Sequence, residues 1–333
     1  MTDVISANTA VVGSRIIGVG AYRPGRVVHN AELVDLIDSS DEWIRRRSGI
    51  ETRRYGAPDE TVVSMAVAAS LKALAQAGVA AEAVDMVLLA TMSHLEQSPA
   101  AAPEIAHLMG ARSAAAMDVS AACAGFCHAL ALADSLVRSG ASRHVVVVGS
   151  EKMSDIIDPR DRGTAFLFGD GAGAVVIGPA AAPGIGPVVW GSDGEHKSAI
   201  AHSGSWLGLR EGETTWPTLR MNGPSVYRWA VGTVPEAGRQ ALTAAGIEQS
   251  DLAAFIPHQA NLRIVDAAAT ALRLPPYVAV ARDVTDTGNT SAASIPLAME
   301  RLLAQGAVDS GGLALLVSFG AGLTHAAMVV ALP

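Results

Sequence analysis

The chain has 333 residues, half of them hydrophobic and 17% charged, with a mass of 34.0 kDa and a mean hydropathy of +0.31. That apolar content excludes a disordered chain, which lacks the burial needed to offset ordering entropy. Twenty-four Lys plus Arg against thirty-two Asp plus Glu give a net charge of −8, the wrong sign for general attraction to nucleic acid or an anionic membrane.

Two cysteines, Cys123 and Cys127, are too few and too close for a disulfide framework, which points to a reducing compartment. Met1 to Asn8 carry Asp3 and no basic residue, unlike a secretory signal. No apolar run reaches the roughly 20 residues of a membrane span, so a cytoplasmic location is expected.

In chain order, Val62 to Ala77 is predicted as a helix stopped by Gly78, and Val84 to Ala90 as a strand. A strand over Ala115 to Val119 leads to a helix over Ala124 to Arg138, which ends before Gly140. Strands follow at His144 to Gly149 and Ala172 to Ile177. A helix over Val226 to Ala245 stops at Gly246, and Ala253 to Ile256 is a strand. A helix over Ala292 to Ala304 stops at Gly306, and Leu313 to Ser318 is a strand. Short, unalternating apolar runs between helices indicate an α/β protein whose strands are covered on both faces.

The order repeats. Ala73-Leu74 through Ala77-Gly78-Val79 echoes Ala241-Leu242 through Ala245-Gly246-Ile247 at an offset of 168. The helix after Cys123 echoes the helix after Asn289 at an offset of 166, and Gly171-Ala172-Gly173 resembles Gly320-Ala321-Gly322. Two similar halves are expected, residues 1–183 and 184–333, packed as one body because no linker composition separates them. On this reading Cys123 and Asn289 occupy equivalent positions.

Three segments carry candidate chemistry. Cys123 sits between a strand and a helix start, where unpaired N–H groups and the helix dipole favour a thiolate and an acyl oxyanion. A buried packing cysteine is the alternative, and it suits Cys127. His258, in Pro257-His258-Gln259-Ala260-Asn261, follows a strand exit, where side chains face a crevice; an ordinary hydrogen-bonded histidine is the alternative. Thr287-Gly288-Asn289-Thr290-Ser291 reads locally as a turn and helix cap. The duplication would bring Cys123, His258 and Asn289 to one cavity, a set suited to acyl transfer. No metal-ligand spacing occurs among the histidines and cysteines. Gly18-Val19-Gly20 and Gly169-Asp170-Gly171-Ala172-Gly173-Ala174 lack the dinucleotide fingerprint and are read as tight turns and close packing, so no cofactor is expected. Asp41-Glu42-Trp43-Ile44-Arg45-Arg46-Arg47 and Arg160-Asp161-Arg162-Gly163 are either solvated faces or a place where a ring and guanidinium groups meet adenine and phosphates.

The chain is similar to the condensing enzymes of the β-ketoacyl-acyl-carrier-protein synthase III type, within the thiolase-like superfamily. The likeness rests on Ser40-Asp41-Glu42-Trp43-Ile44 with Arg47-Ser48-Gly49-Ile50, Ala121-Ala122-Cys123-Ala124-Gly125-Phe126, Phe168-Gly169-Asp170-Gly171-Ala172-Gly173-Ala174, Pro257-His258-Gln259-Ala260-Asn261 and Gly288-Asn289-Thr290-Ser291-Ala292-Ala293-Ser294. The resemblance implies a five-layered αβαβα fold, two halves related by a pseudo-twofold axis, and a homodimer. It implies that Cys123 takes an acyl group from acyl-CoA, after which malonyl-acyl carrier protein loses CO2 and its carbanion attacks the thioester.

By the same resemblance His258 and Asn289 bond the developing enolate, and the backbone amides of Cys123 and Ala321 form the oxyanion hole. Trp43 and Arg162 would sandwich adenine, Arg47 would stand at the entrance, and Arg228, Asn261 and Arg263 would help bind CoA or the carrier protein. Ser98, on a wall contributed across the dimer, and Leu323 would line the acyl pocket. Three departures stand out: Gly320-Ala321-Gly322-Leu323 where relatives often have Gly-Gly-Gly-Phe, His325 for an aromatic, and Pro224 for a polar residue in the pantetheine channel. The small Ser98, where some relatives have Phe, implies room for a short, branched acyl group. A starter-unit synthase of an aromatic polyketide pathway is the nearest alternative; an enzyme acylating a non-carrier acceptor and a catalytically silent scaffold are more distant ones.

Overall fold

The computed structural model describes residues 10–333; Met1 to Asn8, read above against a secretory signal, lies outside the described residues. The first five-stranded sheet comprises β1 (Gly13–Tyr22), β2 (Met86–Ala90), β3 (Ala115–Val119), β4 (Val145–Glu151) and β5 (Gly171–Ala180), in the spatial order β1-β5-β4-β2-β3. The second comprises β6 (Val189–Gly191), β7 (Leu252–Pro257), β8 (Ala279–Val280), β9 (Leu313–Gly320) and β10 (Thr324–Ala331), ordered β8-β7-β9-β10-β6. Counted one to five within each sheet, both read 3-2-4-5-1. In both, the second strand pairs in parallel with the third and fourth, and the fifth pairs antiparallel with its two neighbours.

Among the described residues, seven longer helices accompany them: α1 (Asp41–Ser48), α2 (Val62–Ala77), α3 (Ala101–Leu108), α4 (Gly125–Arg138), α5 (Gly223–Ala245), α6 (Leu262–Ala271) and α7 (Ser294–Ala304). Successive strand residues point to opposite faces, and this alternation builds the layers. Val145 and Val147 of β4 face inward, sharing a core with Phe126 and Leu130 of α4, Ile295 and Met299 of α7, and Leu316 and Met328 of the second sheet. Val146 and Val148 face outward onto α2 and α3, with Met65, Ala69 and Ile105. On the far side, Phe255, Leu315 and Val317 meet Val234 and Ala241 of α5 and Ile264 and Ala268 of α6. The result is a five-layered αβαβα body with α4 and α7 in the middle.

The expected elements are present, with ends moved by a few residues, and the two sheets gain four further strands, β1, β6, β8 and β10, with α1, α3 and α6 added among the helices. β1 contains Gly18 and Gly20, where a Cβ would stand 2.4 Å from the Ala73 carbonyl oxygen and 2.3 Å from that of Ala69. These glycines serve a close strand-to-helix approach, not a turn. β10 continues directly from the turn after Gly320.

The internal repeat also needs correction. Ala122 (φ 45°) and Ser291 (φ 48°) are the matching strained residues ahead of the two middle helices, which places them 169 positions apart. Cys123 therefore corresponds to Ala292, and Asn289 lies three positions earlier. α4 has 14 residues and α7 has 11. That three-residue difference restores the 166 spacing at Gly140 and Gly306, which is why the helix ends suggested the wrong pairing. Likewise, Gly171 begins β5 whereas Gly320 ends β9, so their resemblance is not a structural equivalence.

Candidate active site

Cys123 is presented by a tight bend between β3 and α4. Ala122 takes a left-handed conformation at φ 45°, which costs a residue with a Cβ about 1–3 kcal/mol and marks a site under functional constraint. Opposite it, β9 ends at Gly320, where a Cβ would stand 2.8 Å from the Cys123 nitrogen and 3.1 Å from that of Ala124. Only glycine lets the two halves meet here, bringing the segment that holds Ala321 alongside the nucleophile's backbone.

The thiol is 8% exposed. Burial pushes its pKa up to about 12, opposed by the Ser291 hydroxyl and reinforced by the nearby Glu151. The expected resting thiolate is therefore not found: desolvation outweighs the helix start. Cys127 is also buried and pushed up to about 12 by desolvation.

His258 leaves β7 with its backbone N–H donating to the Val317 carbonyl at 2.8 Å. Its ring meets Phe319 edge-on, with centroids 5.0 Å apart. Burial holds its pKa down to about 3, so the imidazole is neutral. Nδ1 lies 2.7 Å from the Ser294 hydroxyl oxygen, which also accepts from the Gln259 N–H at 3.3 Å. Among the described residues the Ser294 hydroxyl hydrogen has no other acceptor, so it goes to Nδ1, and the network assigns the ring proton to Nε2. Ser294, the first residue of α7, is a functional neighbour that sequence reading missed. Gln259 is committed elsewhere: its amide bonds the Pro257 and Ala281 carbonyls and the Val284 N–H.

Asn289 is 5% exposed, and its Oδ1 accepts the Ser291 N–H at 2.8 Å. That bond fixes the side chain and leaves Nδ2 as a donor. Asn289 also lines a cavity of about 490 Å³ together with Trp43, Arg47, Arg162, Arg228, Asn261 and Arg263. All six residues expected to bind CoA or carrier protein thus surround one cavity. Phe166, Met221, Tyr227 and Ile264, which sequence reading did not single out, supply much of its apolar wall, and Pro224 lies there as well. Cys123, His258, Ala321, Leu323 and Ser98 are not among the lining residues. Leu323 is buried in the turn after Ala321 with φ 42°, and Ser98 is exposed on the single chain.

At the mouth, the Arg162 guanidinium lies 4.9 Å from the Trp43 ring centroid. An adenine between them needs two stacking distances of about 3.5 Å each. The expected sandwich is therefore closed, and Arg162 must swing away to admit a base. Asp161, which accepts from Gly163 and Thr164 and pairs with Arg220, holds the neighbouring turn. Asn261 caps α6 by accepting from Arg263 N–H, and its Nδ2 donates to the Arg47 carbonyl at 3.2 Å. Its amide ties two cationic residues in place. Beneath Trp43, the fully buried Arg53 donates to Asn30 and to the Phe166 carbonyl, and Asn30 in turn donates to Asp41 on α1.

Two fused halves, a buried thiol where they meet, a neutral imidazole and carboxamide nearby, and a cation-lined cavity define a thiolase-like condensing enzyme. The family model described as 3-oxoacyl-[acyl-carrier-protein] synthase III matches residues 117–194, and its C-terminal counterpart matches 242–332. A β-ketoacyl-[acyl-carrier-protein] synthase III of Streptomyces coelicolor is 54% identical over 331 residues, covering 96% of each chain. The Mycobacterium marinum enzyme is 46% identical over 334 residues, covering 100% of this chain and 99% of its own. Among solved structures, the priming β-ketosynthase of the R1128 polyketide pathway superposes with a TM-score of 0.97 at 50% identity, covering 99% of both chains. The synthase III of Aquifex aeolicus gives 0.88 at 36% identity, covering 96% of this chain and 100% of that one. The chain belongs to the 3-oxoacyl-[acyl-carrier-protein] synthase III family. No helix among the described residues is long and apolar enough to cross a membrane.

Proposed function

We propose that the protein starts acyl-chain synthesis by decarboxylative Claisen condensation of a short acyl-CoA with malonyl-acyl carrier protein. Cys123 attacks the CoA thioester; the tetrahedral oxyanion accepts hydrogen bonds from the Cys123 and Ala321 amides, and CoA departs as the acyl-cysteine forms. Malonyl-carrier protein then loses CO2, leaving an enolate whose carbon attacks the acyl-cysteine and releases β-ketoacyl-carrier protein. Negative charge grows on the malonyl thioester oxygen, and two neutral donors, His258 Nε2–H and Asn289 Nδ2–H, stabilise it more in the transition state than in the ground state.

The observation that carries this reading is that both side chains have their other polar atom occupied, by Ser294 and by the Ser291 amide, leaving one donor each. The test is intact-mass measurement after incubation with acyl-CoA. One acyl mass is expected on wild type and none on Cys123→Ala. His258→Ala should still acylate, with condensation slower by at least about 10 to 100-fold. Equal condensation by wild type and His258→Ala would refute the donor role.

A fatty-acid or a polyketide carrier protein can be the acceptor, and the likeness to the R1128 priming β-ketosynthase favours trying the polyketide one first. Arg47, Arg228 and Arg263 give the cavity mouth a positive lining in an acidic chain, suited to CoA phosphates or an acidic carrier. We infer a homodimer through β3, the outer strand of its sheet, whose Met117 is 42% exposed. Ser98 would then reach the partner's acyl pocket, and Leu323 would line its own. A small wall at Ser98 favours propionyl, isobutyryl or similar groups by about 1–3 kcal/mol over misfitting ones. Competition among acyl-CoAs, read by Cys123 labelling, checks this; a clear acetyl preference would overturn it. We assign the halves to 1–183 and 184–333 and the enzyme to the cytoplasm, where acyl-CoA and carrier protein meet.

A further inference from the structure

One proton has no holder so far. Cys123 must lose its hydrogen as sulfur bonds to the acyl carbon, and its thiol is held up at about 12. The imidazole cannot keep that proton, because burial lowers its basicity to about 3.

A different buried acid stands beside the thiol. Glu151 ends β4 and is 0% exposed. One carboxylate oxygen accepts from the Ser93 hydroxyl at 2.5 Å, the Met92 N–H at 3.0 Å and the Thr91 hydroxyl at 3.1 Å. The other oxygen turns toward the second half, where the Ala292 N–H approaches at 3.4 Å. The turn that carries Ser291 packs on both the Cys123 bend and the end of β4, and its hydroxyl bears on the ionisation of both Cys123 and Glu151. Ser291 is fully buried, its oxygen makes no well-aligned hydrogen bond, and its backbone is strained at φ 48°. A buried hydroxyl without a hydrogen-bond partner, in a turn packed beside a thiol and a carboxylate, is free to rotate toward either and pass a proton rather than brace the fold. Burial raises the proton affinity of Glu151, which brings it closer to that of a thiol. The neighbouring Lys152 turns away to the Ala57 carbonyl at 2.8 Å, and His258 is tied to Ser294.

Building on the acyl-transfer reading, we propose that Ser291 and Glu151 form a buried proton store for Cys123. As the sulfur–acyl bond forms, the thiol proton passes to the Ser291 oxygen, and the Ser291 hydroxyl proton passes to Glu151. The carbon–sulfur bond to CoA then breaks, CoA leaves as a thiolate, and it takes a proton from solvent. Glu151 stays neutral through the life of the acyl-enzyme. When condensation expels Cys123 as a thiolate, the proton returns along the same hydroxyl, and the free thiol is restored.

The test is single-turnover acylation of Cys123 by butyryl-CoA, followed by quenched intact-mass measurement from mildly acid to alkaline pH, in wild type, Ser291→Ala and Glu151→Gln. Both variants are expected to acylate at least about tenfold more slowly at neutral pH and to approach wild type as alkali ionises the thiol directly. A simple electrostatic role for Glu151 gives the opposite sign. Removing its charge would ease thiolate formation, so Glu151→Gln would acylate, and react with iodoacetamide, faster than wild type. Acylation by Glu151→Gln at or above the wild-type rate overturns the proposal. If that variant does not fold, Ser291→Ala decides, and a rate within about twofold of wild type overturns it. A wild type that never gains the acyl mass would instead refute the parent acyl-transfer reading, and the proton store with it.

Discussion

At the residue scale, Ser294 shows how little the identity of a catalytic side chain says about its state. Its hydroxyl holds His258 Nδ1 at 2.7 Å and so directs the ring proton to Nε2. Ser294→Ala frees the tautomer and strips the Gln259 N–H of a partner. Condensation by the pre-acylated enzyme is expected to slow about tenfold, while Cys123 acylation stays at the wild-type rate. Stopped-flow release of CO2 compared with acyl labelling checks that split. Cys123 and His258 stood out as candidates in sequence because each lies at a strand exit or helix start with unusual neighbours, whereas Asn289 read locally as a turn and cap and joined them through the family resemblance and a half-to-half equivalence that the structure corrects. Ser294 and Glu151 did not stand out, because serine at a helix start reads as an ordinary cap and glutamate after Val148-Gly149-Ser150 reads as the end of a strand. Their meaning comes from contacts more than 30 positions away along the chain. The thiolate expectation erred for a related reason: a helix start is visible in sequence, and the desolvation that outweighs it is not.

The mouth is governed at the scale of elements. α1 brings Trp43, the turn at Asp161 brings Arg162, and the two side chains stack at 4.9 Å. A cation over an indole is worth about 0.5–2 kcal/mol, and binding a nucleotide there trades that contact for two new ones. Arg162→Ala is expected to raise KM for acyl-CoA about 3- to 30-fold, with little change in condensation by the pre-acylated enzyme. Steady-state kinetics with CoA and carrier-protein donors varied separately check this; an equal effect on both would mean that Arg162 serves the catalytic centre instead. The helices around these segments were readable from glycine stops such as Gly78 and Gly246, both left-handed caps at φ 64° and 67°. β1 was missed because Gly18 and Gly20 resemble punctuation until α2 is seen packed on them. The half-to-half register slipped by three residues because α7 is shorter than α4, a difference that equal spacing of terminal glycines hides.

For the molecule as a whole, the buried titratable groups bound the pH range of stability. His258 has a folded pKa of about 3 against an ordinary 6.5. The unfolded chain therefore binds a proton that the folded one refuses, and stability falls as pH drops below about 6.5 toward 3. Cys123 and Cys127 have folded values near 12 against an ordinary 9.0. Their ionisation in the unfolded chain erodes stability as pH rises above about 9. Urea midpoints measured across pH should be highest between these limits. Replacing Cys127 with Ala should soften the alkaline fall while creating a small cavity, and an unchanged alkaline limb would show that the thiols do not set it. The layered architecture was largely legible, since continuous apolar strands demand cover on both faces. The sharing of one middle layer by two helices from different halves was not, because it depends on how the duplicated units face one another.

That shared layer limits how the chain can be divided. Phe126 and Leu130 rest against strands of the second sheet as well as the first, and Ile295 and Met299 belong to the same apolar mass. A chain severed at the junction of its repeats would leave each fragment with a raw inner face, so neither could persist alone. Two such fragments made together would find in each other the surface they lack, and the thioester chemistry would return only with their reunion.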